Sequence, residues 1–181
     1  MAVSVETKPW SVEDLYRIPD DENRYEVLHG ELLVTPPAGA DHETAIARLH
    51  ALLAPYVAAN GLGIVSSGNP ALHRNGSFLI PDLVVRQPPA RKGQSWAEQP
   101  LPILVVEVRS PSTWTRDCIK KRAFYLDSKI PDYWMVDPDG ELLVVVRPGD
   151  RDHEVRDILT WHPASAREPL EIPVRRIFHA D

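Results

Sequence analysis

The apolar and polar positions follow two different periods along the chain, and their order predicts strands that alternate with helices. Two short β-rich runs flank His29-Gly30 between residues 24 and 34, which predicts a hairpin. Apolar residues recur at helical spacing over residues 41–60 and predict a long amphipathic helix that Pro55 kinks or interrupts. A capping serine and a following proline predict a short helix over residues 11–18.

The rest of the chain predicts a mixed sheet around one further helix. Residues 101–106 form an uninterrupted apolar run, which is typical of a strand buried on both faces. A turn at Ser110-Pro111-Ser112 and a polar segment with helical spacing follow this run. The sum is an α/β domain in which a mixed β-sheet is flanked by two principal helices. Further strands are predicted at residues 63–66, 78–80, 83–85, 132–137, 141–147, 154–159 and 170–177, with an exposed loop over residues 87–100.

Glu107 is the acidic residue that ends the apolar run. A charged group is almost never fully buried without a partner or a metal, so its position needs an explanation. Glu107 belongs either to a functional site or to a buried ion pair with a cation such as Lys121 on the following helix. Because buried ion pairs contribute little to stability, the functional interpretation is favoured.

Asp82 is a second acid among strand residues, directly after Pro81 and before an apolar run. The segment between Asp82 and Glu107 is long enough for a strand, a loop and a return to a neighbouring strand, so the two carboxylates can converge. Two carboxylates at adjacent strand ends provide the hard oxygen ligands that Mg²⁺ prefers. The alternative is that Asp82 only caps a turn.

Two cations accompany these acids. Arg109 follows Glu107 by two residues and therefore projects from the same face of the strand. Lys121 lies on one face of the predicted helix with Asp117 and Tyr125. This face can present the ammonium group of Lys121 to the site of the two acids. The alternative for Lys121 is a salt bridge with Asp117 on a solvated face. Tyr125 is expected to serve in packing.

Composition sets the broad limits. The chain has 181 residues, 43% hydrophobic and 25% charged, which predicts a single domain over residues 1–181 with its core at about residues 20–147 and C-terminal edge strands after it. Its single cysteine, Cys118, and the lack of a membrane-length apolar run predict a cytoplasmic protein without a membrane partner. The net charge of -6 argues against coating of nucleic acid by bulk electrostatics, although metal-binding carboxylates of a nuclease would add such charge.

Several short motifs occur in the order and spacing of a known family. They are Glu31 in HGEL, Pro81-Asp82, VVEVRSPST over residues 105–113 with Asp117, Lys121 and Tyr125 after it, and DYWMVDP over residues 132–138. With these motifs the chain resembles the Uma-type putative restriction endonuclease family of the PD-(D/E)xK nuclease superfamily, over about residues 25–138. The resemblance implies a restriction-endonuclease-like fold and an endonuclease that hydrolyses phosphodiester bonds in nucleic acid, DNA in the first place, with Mg²⁺ or Mn²⁺ as cofactor.

The resemblance also implies roles for individual residues. Asp82 and Glu107 become the metal-binding acids, and Glu31 an additional acid near the metal. Arg109 stands where the superfamily pattern has its lysine, and the Uma-type pattern places that lysine on the following helix, at Lys121. Lys121 would then orient or deprotonate the attacking water, or stabilise developing charge. Arg109 stays protonated and would clamp a phosphate oxygen.

Other polar and aromatic side chains receive mainly structural interpretations. His42 lies in the first turn of the long helix and is expected to be a surface residue. Trp114, Trp134 and Trp161 are expected in the core or an interface rather than as stacking platforms for bases. A set of cations forms either a solvated face or a phosphate-binding rim. The set comprises Arg86, Arg91, Lys92, Arg116, Lys120 and Arg122.

Two other classes of function stay open at this point. A metal-free nucleic-acid-binding or regulatory module would bind independently of Mg²⁺ and of Glu107, and a structural or interaction protein would bind no nucleic acid. The convergence of Asp82, Glu107 and Lys121 favours the nuclease. Cleavage of both strands of a duplex predicts a homodimer, for which the apolar hairpin over residues 133–146 offers an interface.

Overall fold

The structure, a computed structural model, describes residues 8–88, 91–109 and 114–179, apart from the side chains of residues 114–118. The predicted turn at residues 110–112 and the side chains of Trp114, Arg116, Asp117 and Cys118 lie outside the described part. The helices α1 to α4 span Val12–Leu15, Ala40–Ala59, Trp114–Asp127 and Arg175–Phe178, with a short 3-10 helix at Trp96–Glu98. The strands β1 to β12 span Arg24–Leu28, Glu31–Thr35, Ile64–Ser67, Leu72–Arg74, Ser77–Leu79, Leu83–Arg86, Leu104–Val108, Asp132–Asp137, Leu142–Val146, His153–Val155, Ile158–Trp161 and Leu170–Pro173.

A six-stranded mixed sheet in the order β10-β9-β8-β7-β6-β3 forms the centre of the fold. Strands β7 and β8 are parallel and are joined by the crossover helix α3, whereas the other neighbours are antiparallel. The first hairpin belongs to a four-stranded sheet in the order β2-β1-β5-β4, and β11 pairs with β12 in a third sheet. The predicted mixed sheet with helices on its faces is therefore confirmed.

The central strands bury both faces, as their continuous apolar sequence predicts. On β7, Leu104, Val106 and Val108 face a core that α2 covers, with Leu49 and Leu53 among its residues. Val105 faces a second core, which includes residues of α3 and of the hairpin sheet. Because side chains alternate along a strand, Glu107 lies on the same face as Val105. The acid is thus placed between the central sheet, α3 and the first hairpin.

Local sequence explains the first hairpin and the long helix. His29 and Gly30 both have positive φ, +50° and +81°, which is the backbone of the tight hairpin turn that the sequence predicts. Helix α2 covers nearly the predicted range. It continues through Pro55 to Ala59, so the prediction that Pro55 interrupts the helix is wrong. The buried stripe of α2 packs on the central sheet and outweighs the cost of the proline.

The C-terminal segment departs from the two predicted edge strands. The run over residues 154–159 divides between β10 and β11, and the run over residues 170–177 ends as a strand at Pro173 before α4. This segment also contributes to the main core, where Trp161 packs edge-to-face on Trp134 with 5.6 Å between ring centroids. The expected core position of both tryptophans is confirmed.

The predicted dimer hairpin lies inside the molecule. Strands β8 and β9 have neighbours on both sides in the six-stranded sheet, and Tyr133, Trp134 and Val146 are almost fully buried. Residues 133–146 are therefore wrong as a subunit interface, because their apolar side chains are already used by the two cores of the same chain. In the described part of the chain, every helix is too short or too polar to cross a bilayer.

Candidate active site

The pairing of β6 with β7 brings Asp82 and Glu107 together. Leu83 pairs with Val106 in this antiparallel ladder, so the next step of the register sets Asp82 opposite Glu107. The amide of Val108 donates a hydrogen bond of 2.7 Å to Asp82 Oδ2, which fixes this carboxylate across the strand boundary. Both acids are buried, with 5% and 6% of their surfaces exposed. The predicted convergence of two carboxylates at adjacent strand ends is present in the structure.

Asp82 is held by three donors. Besides the Val108 amide, His42 Nε2 donates to Oδ2 at 3.2 Å and Arg24 Nη1 donates to Oδ1 at 2.8 Å. Burial alone would raise the pKa of Asp82, but the hydrogen bond from His42 and the charge of Arg24 outweigh it and lower the pKa to about 2. Asp82 is therefore ionised at every physiological pH.

Glu107 shares its surroundings with Lys121 and Tyr125, both presented by α3. Lys121 Nζ donates to Glu107 Oε1 at 3.1 Å, and the Tyr125 hydroxyl donates to the same oxygen at 2.6 Å. Lys121 is 5% exposed, so its interpretation as a residue of a solvated face is wrong. Tyr125 was expected only to pack, but it also orients the carboxylate. Among the residues that the structure describes, none donates to Glu107 Oε2.

Glu26 on β1 is a third acid that the sequence analysis missed. It is fully buried, and its Oε1 accepts hydrogen bonds from the Ile80 amide at 2.7 Å and from Lys121 Nζ at 3.0 Å. Its Oε2 forms an ion pair with Nζ at 2.8 Å. The sequence contained a signal for Glu26 of the same kind as for Glu107, namely an acid between apolar strand residues, in Tyr25-Glu26-Val27.

Protonation in this buried cluster follows from competing charges. Burial raises the pKa of Glu107 to about 7, against the charge of Lys121 and together with the charges of Asp82 and Glu26. Burial would lower the pKa of Lys121, but the charges of Glu107 and Glu26 outweigh it and raise that pKa. The raised pKa keeps Lys121 cationic near neutral pH in the metal-free protein, which suits stabilisation of charge better than proton abstraction from water.

The structure places Glu31 and Lys120 at the surface, against each other. Lys120 Nζ donates to Glu31 Oε1 at 2.7 Å, and the two side chains are 36% and 44% exposed respectively. Arg109 Nη1 donates to Asp137 at 2.9 Å and is about one-third exposed. In these contacts each of the three residues has a partner other than Asp82, Glu107 and Glu26.

Other predicted cations are also engaged in the described part. Arg91 pairs with Glu98, and Arg122 forms two bonds to Asp152. Arg86 is 4% exposed, donates to the carbonyl of Ala71 and lies 4.8 Å from the ring centroid of Trp96. Among the described side chains of this set, Arg86, Arg91 and Arg122 form separate local contacts, and whether they bind phosphate stays a prediction.

His42 and Arg24 carry no recognisable signal in the sequence. The expectation that His42 is a surface residue is wrong, because it is 7% exposed and contacts Asp82. Burial alone would lower the pKa of His42, but the hydrogen bond and charge of Asp82 raise it. Arg24 begins β1 at the edge of a polar segment, and only the folding of the hairpin over β6 brings its guanidinium to Asp82.

The chemistry of the donors fits a hard divalent cation. Asp82 and Glu107 each offer a carboxylate, and Glu107 Oε2 is without a donor among the described residues. The described part contains no cluster of three or more His, Cys, Asp or Glu side chains arranged around a metal position. Mg²⁺ does not need such a cluster, since it is usually bound by one or two carboxylates with water and substrate phosphate. The two acids therefore suffice for this class of metal.

Comparison with known proteins adds independent evidence. Residues 12–174 match the Uma2 family model, described as putative restriction endonuclease. The crystal structure at 1.96 Å of a putative nuclease belonging to DUF820 from Anabaena variabilis ATCC 29413 aligns with a TM-score of 0.79 and 19% identity, over 94% of this chain and 98% of that chain. This identity establishes likeness of fold alone. The curated proteins contain no match. Because the family model covers all but the ends of the chain, the protein belongs to the Uma2 family of putative restriction endonucleases, which confirms the resemblance inferred from its motifs.

Proposed function

We propose that this protein is a metal-dependent endonuclease that hydrolyses phosphodiester bonds in DNA. The observation that carries the proposal is the placement of Asp82 opposite Glu107, with Lys121 buried against Glu107. Family membership supports nuclease activity in general. A scaffold has no need for Glu26 and Glu107 buried against one lysine with Asp82 buried beside them, since burial of a carboxylate is costly.

Asp82 and Glu107 would hold Mg²⁺ or Mn²⁺ in this proposal. A bound divalent ion would supply Lewis acidity for the phosphoryl group and for the attacking water. The surrounding residues fix both carboxylates in position. Asp82 is ionised and fixed by the Val108 amide, and the Tyr125 hydroxyl holds Glu107 Oε1 so that Oε2 stays available. Glu26 takes the place of the third acid that the sequence assigned to Glu31.

Lys121 would stabilise the negative charge that develops on the phosphoryl oxygens. Its raised pKa keeps it cationic. Its hydrogen bonds to Glu107 and Glu26 hold the ammonium group in one position before the substrate binds. Arg109 and Lys120 are proposed to contact flanking phosphates. Each of these two would exchange a carboxylate partner, Asp137 or Glu31, for a phosphate oxygen as the substrate binds.

Cleavage of both strands of a duplex would require two copies of the site. Each chain offers one buried cluster of this kind in its described part, so we propose that the protein acts as a homodimer. Size-exclusion chromatography with light-scattering detection, with and without duplex DNA, measures the oligomeric state directly. A monomer in both conditions would contradict this part of the proposal.

The decisive experiment compares the wild-type protein with Glu107→Gln. We expect Mg²⁺ binding by calorimetry and EDTA-sensitive cleavage of a mixed pool of single- and double-stranded DNA and RNA, both lost in the variant. Glu141→Gln is the matched control, because it makes the same change at an exposed ion pair with His179. Cleavage retained by Glu107→Gln would refute the proposal.

A nucleic-acid-binding module without turnover is the second candidate. The observation that favours it is that Arg24 and Lys121 already compensate Asp82 and Glu107 in the absence of a metal. In that case DNA binding would be the same with Mg²⁺ or EDTA and in Glu107→Gln. DNA binding measured on the same proteins, with Mg²⁺ or EDTA, distinguishes the two functions.

A further inference from the structure

Arg24 occupies the one oxygen of Asp82 that a metal would use. Asp82 Oδ2 already accepts hydrogen bonds from the Val108 amide and from His42 Nε2, so its lone pairs are taken. Oδ1 is contacted by Arg24 Nη1 at 2.8 Å. A cation that binds Asp82 must therefore share Oδ1 with the guanidinium or displace it.

The charges of the cluster favour displacement. When Glu107 is ionised and His42 is neutral, Glu26, Asp82 and Glu107 contribute three negative charges, and Lys121 contributes one positive charge. A divalent ion brings this set to neutrality without Arg24, whose charge then becomes a surplus. Two cations that compete for one carboxylate oxygen also repel each other strongly when both are partly desolvated.

A pocket beside Asp82 offers the released guanidinium a place to act. The pocket has a volume of about 360 Å³ and includes Arg24, Glu43, Ser67, Pro81 and Asp82 in its lining. Arg24 is about one-quarter exposed, so it already reaches solvent there. Glu43, on the α2 side of the pocket, is two-thirds exposed, and its negative charge repels an anion. A phosphate would therefore bind on the opposite side, beside Arg24.

We propose that Arg24 is a substrate-binding residue that pairs with Asp82 in the metal-free protein and transfers its guanidinium to a DNA phosphate in the adjoining pocket when a divalent cation takes Asp82 Oδ1. This inference rests on the proposed function. It makes metal binding and DNA binding cooperative, because the metal frees the arginine that the phosphate needs. It also explains why a buried acid pair is stable without metal.

The first measurement is Mg²⁺ binding by calorimetry to wild type, Arg24→Gln, Arg24→Lys and Arg147→Gln. We expect Arg24→Gln to bind Mg²⁺ about tenfold more tightly than wild type, since a charge-assisted hydrogen bond no longer competes. Arg24→Lys keeps the charge and should stay near wild type. Arg147→Gln is the control, because Arg147 likewise donates to a mostly buried aspartate, Asp132, which starts β8 and has no contact with Asp82 among the described hydrogen bonds.

The second measurement is binding of a phosphorothioate DNA duplex, which keeps the backbone charge and resists hydrolysis, with Mg²⁺ or with EDTA. We expect Mg²⁺ to strengthen binding by wild type more than by Arg24→Gln. Thermal melting accompanies both measurements. Arg24→Gln should melt lower than wild type without metal and gain more from Mg²⁺, because the ion replaces the missing positive charge.

The outcomes separate this inference from the proposed function. Mg²⁺ affinity in Arg24→Gln that equals or falls below that of wild type, with cleavage intact in wild type, overturns the exchange and leaves the nuclease standing. An equal gain of DNA affinity on adding Mg²⁺ to both proteins overturns the phosphate contact. If neither protein binds Mg²⁺, both the exchange and the metal-dependent nuclease are refuted.

Discussion

Two carboxylates that face each other across neighbouring strands acquire opposite pKa shifts because their neighbours differ. Asp82 receives hydrogen bonds from a backbone amide, His42 and Arg24, so its charged form is favoured despite burial. Burial and the charges of two other acids raise the pKa of Glu107, and the charges of Lys121 and Arg24 offset this only in part. Such divergence of two acids is typical of sites that must bind a cation and remain chemically responsive.

The role of Glu26 can be tested against that of Glu31. Glu26→Gln should lower the free energy of unfolding by about 3 kcal/mol and abolish cleavage, because it leaves Lys121 buried with one acid fewer. Glu31→Gln should cost less than about 1 kcal/mol, since its pair with Lys120 is exposed to solvent. Urea denaturation and cleavage assays measure both effects. Equal losses of cleavage in the two variants would restore Glu31 to the site.

Metal affinity should depend on pH through Glu107. Its pKa in the folded, metal-free protein is about 7, above the ordinary 4.5, so the folded state binds the proton more tightly than the unfolded state. The stability that this proton contributes is complete below pH 4.5 and is lost as the pH rises through about 7. A metal must expel the same proton, so Mg²⁺ affinity should rise up to about tenfold per pH unit and level off above about pH 7.

Calorimetry at several pH values checks this expectation, with buffers of different ionisation enthalpy to count the released proton. His42 acts in the same direction, because its raised pKa puts a positive charge beside Asp82 at low pH. His42→Asn removes that contribution and leaves the one from Glu107. A flat affinity between about pH 5 and about pH 8 in both proteins would contradict the assignment.

At the scale of elements, the pairing of β3 with β6 supports the strand that follows Asp82. Gly63, directly before β3, has φ of +116°, and a Cβ there would lie 2.2 Å from the carbonyl oxygen of Arg86. We expect Gly63→Ala to lower the free energy of unfolding by about 3 kcal/mol or more, because both the backbone angle and the contact with β6 become strained. Urea denaturation measures the loss.

Gly61→Ala is the matched control for this prediction. Gly61 also has positive φ, +63°, but a Cβ there would meet open space. Its substitution should cost about 1 to 2 kcal/mol, the price of a left-handed residue alone. If both variants lost the same stability, the close approach of Gly63 to β6 would not matter.

Element by element, the sequence predicts those parts of the fold whose signals are local. The first hairpin, α2 and the buried strand β7 all lie within a few residues of their predicted positions. The end of α2 near residue 60 was predicted, but its continuation through Pro55 was not, because packing of the apolar stripe on the sheet stabilises the helix despite the proline. The division of the tail into β11, β12 and α4 was likewise missed, since short edge elements depend on what they cover.

At the scale of the whole molecule, the segment after residue 147 is part of the main core. It contributes Leu159, Trp161, Ile172 and Ile177, each with at most 1% of its surface exposed. A chain that ends at residue 147 should lose cooperative thermal unfolding, because burial of these side chains, at about 1.5 to 3 kcal/mol each, is comparable with the whole stability of a domain. Near-ultraviolet circular dichroism during heating measures this.

The control for truncation is a chain that ends at residue 179, which keeps all these core residues. It should melt as the full chain does. A cooperative transition retained by the chain that ends at residue 147 would show instead that residues 20–147 form an independent core. The Trp161 indole also donates to Asp132 at 3.1 Å, so its loss removes a hydrogen bond from the start of β8.

By itself the sequence determined the fold class, the family and two acids of the candidate site. Hydrophobic periodicity is a local property, and an acid inside an apolar strand is visible without a structure, so Asp82 and Glu107 could be found. Only tertiary structure decided which further groups join them. Arg24 and Glu26 come from β1 and His42 comes from α2, and their approach to these acids depends on how two sheets and α2 pack. No spacing along the chain encodes that packing, because contacts distant in sequence form only when the cores close.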